Sequence, residues 1–460
     1  MNSEKKKNFK RVAITTLGCK TNQFESAAMS ESLAAAGYEN VPFTQSADVY
    51  IINTCTVTAK SDAESRRLIR RAARLNPASQ VVVTGCYAQL AAKELADLPN
   101  VSLVIGNSEK RGIAALLEDL AGEVKIQVAD IDKETGAEGL HLESFAEHTR
   151  AFLQIQNGCN SFCSYCIVPY ARGRSRSVPF DDVLAGARKS AAAGFREIVL
   201  TGIHLGIYGL DLRPKRSLVE LVKEMDAAGF VSRLRIGSLE PNEITAELIE
   251  LLSRSKNICP HLHLPLQSGS ARVIKAMGRN YDPAFIKDVV TKIVAEVADI
   301  AIGFDVIAGF PGESEAEHTA TVELIESLPI SYLHVFPYSS RPGTAAAAMP
   351  GHLQPAVVKR RAEELRALGE RKKRAFAAGF IGRDLQVLVQ GAGRSGIASN
   401  YLTVQLDGGS AISGDEVTVR ITSVNPDGVC RGFLPPGSRS RGAAISAAAP
   451  VPGSAARIPD

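Results

Sequence analysis

The chain has 460 residues, 45% of them hydrophobic, and a formal net charge of only +4. A chain of this length is too long to fold around a single hydrophobic core, so we expect a globular protein of two or three domains. No uninterrupted apolar run of about 18 residues exists, and the amino terminus MNSEKKKNFK lacks the apolar segment of a signal peptide, which predicts a cytoplasmic protein without a membrane partner.

The first part of the chain alternates short apolar runs with longer helical patterns. The apolar runs are RVAITTL, DVYIINT, QVVVTG and VSLVIG. This alternation predicts an α/β domain over residues 9–125, with a flavodoxin-like parallel sheet that has helices on its faces. The polar, acidic stretch ADIDKETGAEGLHLESFAEH then predicts a linker.

A second alternating series occupies residues 145–375. Its apolar runs are AFLQIQ, EIVLTG, RLRIGS, HLHLPL, ADIAIGFDVIAG and SYLHVFPY, and helical patterns lie near 178–193, 217–228, 243–254, 284–297 and 314–328. Six such units are fewer than the eight that close a full barrel. The sequence therefore predicts an open, partial (βα)6 barrel of the TIM type.

The last part of the chain predicts a small β-barrel after a charged helix. The helix pattern is VVKRRAEELRALGERKKRAF, and the runs DLQVLVQGAG, YLTVQL, EVTVRITSV and GVCRGFL follow it between glycines. They predict a barrel of about five strands over residues 376–436. Residues 437–460 are rich in Ser, Ala, Gly and Pro, which predicts a disordered tail.

Three cysteines follow the first strand of the partial barrel. Cys159, Cys163 and Cys166 have the spacing C-x-x-x-C-x-x-C. Three thiolates can fill three corners of a 4Fe-4S cluster and leave one iron open for a cofactor or substrate. The alternative is structural zinc, which requires a closed set of four ligands. No fourth ligand is evident nearby, so the spacing favours a cluster with an open iron.

A second set of cysteines is dispersed over the N-terminal domain. Cys19, Cys55 and Cys86 each follow a predicted parallel strand and lie near the start of a helix. The carboxyl ends of parallel strands share one edge of a sheet, and helix amino termini favour the thiolate that binds iron. Three separate buried cysteines are the alternative. We expect a second cluster at this edge.

The two cysteine sets, with Tyr165 before the last cysteine of the triplet, resemble the methylthiotransferase branch of the radical S-adenosylmethionine (SAM) superfamily. The resemblance extends from about Arg11 to the C-terminal β module. The segments TLGCKTNQFES, NTCTVTAKSDAESRRLIRRAARLNP and TGCYAQ are most similar to enzymes that act on N6-threonylcarbamoyladenosine in tRNA. Sister groups act on isopentenyladenosine tRNA, with a YGCQMN-like start, or on a ribosomal protein aspartate, with Gly-Phe after the second cysteine; here Thr56 follows Cys55.

The resemblance implies two 4Fe-4S clusters and a methylthiolation at adenine C2. One SAM at the Cys159 cluster supplies a radical, a second methylates sulfur presented by the Cys19 cluster, and no further catalytic residue is expected. The implied SAM contacts at the barrel mouth are Tyr165, Thr201, Gly202, Ser238, Glu240, His263, Gln267, Ile307 and Gly309. For each, a turn or core role is the alternative. An electron donor such as flavodoxin or ferredoxin is implied as a partner.

Basic residues indicate where RNA binds. The candidates are Arg66, Arg67, Arg70, Arg71 and Arg74, which form one helix face, and Arg172, Arg174 and Arg176 after the triplet. Solvated surface is the alternative. The terminal module resembles the TRAM domain, an RNA-binding β-barrel, and we expect the unpaired bases of a tRNA anticodon stem-loop as the target. A non-catalytic, metal-bound RNA-binding module is the alternative of another class.

Overall fold

The structure is a computed structural model that describes residues 10–118, 120, 122–137, 149–408 and 411–436. The predicted tail at 437–460 and most of the predicted linker, 138–148, lie outside these residues. Among the helices of the described segments, none has both the length and the apolar character needed to cross a bilayer.

The N-terminal domain is a six-stranded, entirely parallel sheet with the order β2-β1-β3-β4-β5-β6. Its strands are β1 (Arg11–Thr16), β2 (Glu39–Asn40), β3 (Val49–Thr54), β4 (Gln80–Gly85), β5 (Val101–Ile105) and β6 (Lys125–Gln127). Its helices are α1 (Lys20–Ala35), α2 (Ala59–Leu75), α3 (Cys86–Leu90), α4 (Ala92–Ala96) and α5 (Ile113–Glu118). This order confirms the flavodoxin-like prediction.

Alternation along β3 explains why helices cover both faces of this sheet. Tyr50 and Ile52 belong to the apolar cluster that includes Leu68 and Ile69 of α2, whereas Ile51 packs with residues of α1 and α5. A strand that is buried on both faces is expected to be a nearly continuous apolar run, as Val49–Ile52 of β3 provides.

The central domain is a partial barrel of six parallel strands. They are β7 (Ala151–Gln154), β10 (Glu197–Thr201), β11 (Arg233–Ile236), β12 (His261–Gln267), β13 (Ala301–Ala308) and β14 (Tyr332–Pro337), and β8 (Gln156–Asn157) and β9 (Arg176–Ser177) form a short antiparallel ribbon beside them. The order is β7-β10-β11 and β12-β13-β14. Two isolated parallel bridges, Leu234 with Ile258 and Ser238 with His263, connect the two halves next to β11 and β12. The prediction of six strand–helix units in an open barrel is confirmed.

Helices flank the strands of this domain. They are α6 (Val168–Arg172), α7 (Phe180–Ala192), α8 (Leu218–Ala228), α9 (Ala246–Arg254), α10 (Ala271–Ala276), α11 (Pro283–Glu296), α12 (Glu315–Ser327) and α13 (Pro355–Ala378). Leu262 and Leu264 of β12 pack with helical residues such as Ile286 and Leu365. Because side chains alternate along a strand, His263, which lies between these leucines, faces the interior of the barrel.

The C-terminal module is a closed barrel with the order β15-β16-β17-β19-β18. Its strands are β15 (Asp384–Gln390), β16 (Ser395–Ala398), β17 (Thr403–Leu406), β18 (Glu416–Val424) and β19 (Cys430–Phe433). The sequence identified four of them and missed β16, because Ser-Gly-Ile-Ala has only one large apolar residue. Helix α13 runs through the predicted domain boundary at residue 375 and ends at Ala378.

Candidate active site between two cysteine clusters

Cys19, Cys55 and Cys86 converge at the carboxyl edge of the N-terminal sheet. Their strands β1, β3 and β4 are parallel neighbours, so the three following loops meet. Gly18 has a φ of +99°, and a Cβ added to it would lie 3.0 Å from the Cys55 sulfur. Glycine therefore permits the loop of the first cysteine to approach the second.

The three thiols form a donor set that fits a metal centre. Burial, together with the nearby Cys86 and Cys19, raises the pKa of Cys55 to about 12. Thiols that oppose one another's ionisation are deprotonated when a metal binds them, because its charge replaces the repulsion with attraction. This chemistry fits iron bound by three thiolates better than three unrelated core residues.

The second donor set, Cys159, Cys163 and Cys166, lies in a compact loop after β8. The Cys166 backbone N–H donates to the Cys163 carbonyl at 2.9 Å. Gly158, at a φ of +73°, begins the loop where an added Cβ would lie 1.9 Å from the Arg174 carbonyl oxygen. Burial, together with Cys163 and Cys159, raises the pKa of Cys166 to about 12. These thiols also fit a shared metal centre.

Two cationic side chains that sequence reasoning missed contact this second set. His204 Nδ1 lies 3.6 Å from Cys159 Sγ, and Arg279 Nη1 donates to Cys163 Sγ at 3.3 Å. His204 Nε2 lies 2.6 Å from a Glu243 carboxylate oxygen. Burial opposes protonation of His204, but its hydrogen bonds to Cys159 and Glu243 raise its pKa to about 10. Both cations stabilise thiolates, which are the metal-binding form.

Gln156, also missed, joins the cysteine loop to the end of β10. Its Oε1 accepts hydrogen bonds from the backbone N–H groups of Ile203 and His204 at 2.9 and 2.8 Å. Its Nε2 donates to the Gly158 carbonyl at 2.7 Å. The position of His204, two residues after the predicted strand, was a usable signal, whereas nothing in the sequence pattern connects Arg279 to the cysteines.

Most predicted SAM contacts lie at the carboxyl mouth of the barrel. Thr201 ends β10, with Gly202 directly after it, and Gln267 ends β12. Tyr165 packs with Ile307 in an apolar cluster that also contains Val273, Met277 and Phe310. The Thr201 hydroxyl is buried and has no hydrogen-bond partner within the described segments, so it remains available to a ligand.

The remaining predicted SAM contacts differ in their surroundings. Ser238 is exposed, Glu240 forms an ion pair with Arg279 at 2.6 Å, and the Gly309 N–H donates to Glu313 at 2.9 Å. His263 is the third residue of β12, so the expectation that all these residues lie at strand ends is wrong for it. Alternation along the strand turns it toward the barrel interior.

Inside the barrel, His263 joins a polar group from three adjacent strands. Its Nε2 lies 2.8 Å from Asp305, and His334 Nδ1 lies 3.3 Å from the same oxygen. Burial acts to raise the pKa of Asp305, but His263 and His334 hold it well below its usual range. The ligand atoms of the three residues lie within 4.8 Å of one another. This group gives the interior a fixed polar wall.

Arg172 and Arg176 correct the prediction of RNA contacts at these positions. Arg172, at the end of α6, is fully buried: it forms an ion pair with Glu25, donates to Asn22, and its Nε lies 3.3 Å from Cys86 Sγ. Arg176 is also buried and donates to backbone carbonyls. Neither guanidinium is available to RNA, and Arg172 instead links the two cysteine sets.

The other predicted RNA contacts lie at or near the surface. Arg174 is exposed and stacks on Phe162. On α2, Arg67, Arg70 and Arg74 are exposed, whereas Arg66 and Arg71 are partly covered by Tyr87 and Phe43. The basic face that the spacing predicted therefore exists, and its contact with RNA stays a prediction.

Two family models match the chain. One, described as Uncharacterized protein family UPF0004, matches residues 11–106, and the Radical SAM superfamily matches residues 153–325. A solved structure of the radical S-adenosylmethionine methyltransferase TsrM from Kitasatospora setae has 16% sequence identity and a TM-score of 0.52, covering 74% of this chain and 75% of that chain. That likeness shows the fold. The protein is a radical SAM enzyme.

Curated relatives narrow this class. A Bacillus subtilis protein named threonylcarbamoyladenosine tRNA methylthiotransferase MtaB is 40% identical, covering 89% of this chain and 93% of the relative. The Aquifex aeolicus protein of the same name is 39% identical, and the match covers 86% of this chain and 97% of the relative. A Cereibacter sphaeroides tRNA-2-methylthio-N(6)-dimethylallyladenosine synthase is 34% identical, and the match covers 91% of this chain and 97% of the relative. The chain belongs to the radical SAM methylthiotransferase family.

Proposed function

We propose that this enzyme adds a methylthio group to C2 of N6-threonylcarbamoyladenosine next to the anticodon of tRNA. The observation that carries the proposal is the contact of Arg172, which follows the Cys159–Cys166 loop, with Cys86 of the other cysteine set. A sulfur donor and a radical source must act on one nucleotide, so their sites must adjoin. The names of the two MtaB relatives support this substrate.

Six cysteines fit two 4Fe-4S clusters, with SAM at the Cys159, Cys163 and Cys166 site. When bound, this cofactor pair supplies radical chemistry, which is needed because the adenine C2–H bond offers ordinary acid–base groups little to act on. The chain's own residues hold and shield the site. Arg279 and Glu240 form one charged wall, and Tyr165 with Ile307 forms an apolar wall that excludes water.

The protein offers two surfaces for the tRNA. The first is the exposed basic face of α2 with Arg67, Arg70 and Arg74, and the second is the closed C-terminal barrel, which we interpret as a TRAM-like module. Phosphate contacts would position the RNA, and an unpaired anticodon-loop base can enter the mouth of the barrel. We place the enzyme in the cytoplasm with its tRNA, and its electron donor is of the flavodoxin or ferredoxin class.

Nucleoside analysis tests the substrate. In cells that lack the protein, mass spectrometry of digested tRNA should show loss of 2-methylthio-N6-threonylcarbamoyladenosine and accumulation of its unthiolated precursor. Loss of the dimethylallyladenosine product instead would assign the protein to the alternative substrate. Unchanged tRNA with an unmodified ribosomal aspartate would assign it to the third one.

Anaerobic reconstitution tests the two-cluster arrangement. Cys86→Ala should lower the bound iron by about half, since one of two four-iron clusters is lost, and should abolish methylthiolation while SAM cleavage to 5′-deoxyadenosine continues. Cys259→Ala is the matched control, because Cys259 is buried outside both sets. A wild-type protein that binds only zinc and never cleaves SAM would be a non-catalytic binding module.

A further inference from the structure

Residues of all three domains form a cluster inside the central partial barrel, and this cluster has more positive than negative charges. Arg233 and Arg235 of β11 bind Glu197 of β10 at 2.7 Å, and Arg150 lies 3.7 Å from the same carboxylate. Glu416 adds a second carboxylate, 3.8 Å from Arg233. Three guanidinium groups thus face two carboxylates before any other cation is counted.

Every guanidinium nitrogen of the two arginines of β11 has a hydrogen-bond partner. Besides Glu197, Arg233 and Arg235 donate to backbone carbonyls of the C-terminal barrel at 3.0–3.4 Å. Arg150 is different, because its buried Nη1 has no hydrogen-bond partner among the residues that the structure describes. A buried donor without a partner is costly, so this nitrogen is suited to an incoming acceptor.

Lys20 adds a fourth cation from the N-terminal domain. It follows the cluster cysteine Cys19 in sequence, and its Nζ lies 5.9 Å from the centre of the Tyr401 ring. Tyr401 belongs to the turn between β16 and β17, and its ring lies 4.3 Å from that of His261 on β12. The ammonium of Lys20 is therefore directed at the barrel interior. No acidic partner of Lys20 occurs in the described ranges.

The surplus of positive charge acts on both rings. Lys20, aided by Arg150 and Arg235, holds the pKa of Tyr401 below its usual range. Burial lowers the pKa of His261 far below its ordinary value, and Arg235 and Lys20 lower it further, so this imidazole is neutral. The cluster thus holds four cations, Lys20, Arg150, Arg233 and Arg235, but two carboxylates, so an anion entering here would meet a net positive charge.

We infer that Lys20, together with Arg150, binds the carboxylate of the threonylcarbamoyl group while the adenine lies beside the two clusters. This inference rests on the proposed function, and it names what selects the substrate. Threonylcarbamoyladenosine carries a carboxylate on its N6 substituent, whereas isopentenyladenosine carries only hydrocarbon. A hydrocarbon substituent would displace water from this surplus positive charge without neutralising it, so the same charges accept one nucleoside and reject the other.

A neutralised substrate provides the direct test. The reconstituted enzyme is given one tRNA carrying either threonylcarbamoyladenosine or its methyl ester, and kcat/KM for methylthiolation is measured for each. A charge-assisted hydrogen bond predicts that the wild type prefers the carboxylate by about 10- to 100-fold. In Lys20→Gln this preference should fall by about tenfold, because glutamine offers no charge and Arg150 alone then binds the carboxylate.

Two controls make the result decisive. Lys93→Gln removes an exposed lysine of the same domain and should keep the full preference. Iron content and SAM cleavage show whether Lys20→Gln retains its clusters. If it does not, the same measurement on Arg150→Gln decides, because Arg150 is nine residues from Cys159, whereas Lys20 is adjacent to Cys19. A full preference for the carboxylate in these variants overturns the inference. A wild type that modifies neither tRNA refutes the proposed function itself.

Discussion

Glu25 holds together a buried charge network between the first two domains, and replacing it by glutamine should destabilise the fold strongly. Its carboxylate binds both Lys110 and Arg172, and all three side chains are at most 3% exposed. Glu25→Gln leaves two buried cations beside each other without an anion. Breaking a buried ion pair by removing one partner costs about 3–5 kcal/mol, so we expect at least that range here.

The assay is urea unfolding followed by far-ultraviolet circular dichroism, with the first cooperative transition taken as the readout. The control is Glu247→Gln, because the pair of Glu247 with Lys223 is half exposed and such pairs are worth at most about 1 kcal/mol. In thermal unfolding, the Glu25 variant should melt lower by about 2–4 °C for each kcal/mol lost. A loss below about 1 kcal/mol refutes the reasoning.

The pH dependence of this effect has a definite sign. Burial alone would raise the pKa of Glu25, but Arg172 and Lys110 hold it below the ordinary 4.5. A carboxylate whose pKa is depressed in the folded state stabilises the fold above its unfolded pKa, and this stability is lost as the pH falls through the folded pKa. The difference between wild type and Glu25→Gln should therefore be constant at neutral pH and shrink below about pH 4.5.

Two further predictions concern the auxiliary cysteines and the RNA surface. Gly85→Ala should displace Cys86 and lower the iron content, because φ is +98° and the added Cβ would lie 2.3 Å from a backbone oxygen of β3; iron analysis of the folded variant checks this, and full iron loading contradicts it. Arg70→Ala and Arg74→Ala should each weaken tRNA binding and reduce its logarithmic salt slope by about one. Arg176→Ala, at a buried position, should leave that slope unchanged in filter-binding titrations.

The sequence revealed the features that local patterns encode. The apolar runs of β1, β3 and β4 defined a parallel sheet, and a cysteine after each run predicted the convergence of Cys19, Cys55 and Cys86, because strand ends share an edge. The triplet was evident from its spacing alone. Strand β16 was missed because its glycine and small residues lack the alternating pattern on which strand assignment depends.

Long-range pairing is what the sequence did not reveal. The spacing of Arg172 with its neighbours indicated a surface cluster, yet its carboxylate partner Glu25 lies 147 residues earlier in the chain. Arg279 likewise contacts Cys163 across 116 residues. Charge runs report composition and not burial, so only the packed structure distinguishes an arginine that binds phosphate from one that joins two domains.

The position of Arg172 couples the docking of the domains to the chemistry of the auxiliary site. Arg172 ends the helix that follows the Cys159–Cys166 loop, while its guanidinium contacts Cys86 across the interface. Burial favours the neutral form of the Arg172 guanidinium, but Cys86 and Glu25 hold the pKa of Arg172 well above its usual value. Arg172 therefore stays cationic. Arg172 and Lys110 share the single carboxylate of Glu25, which leaves one surplus positive charge. Metal-bound thiolates neutralise this charge. The protein without its auxiliary cluster therefore carries an uncompensated buried charge at this interface, and binding the cluster stabilises the contact that sets the two sites side by side.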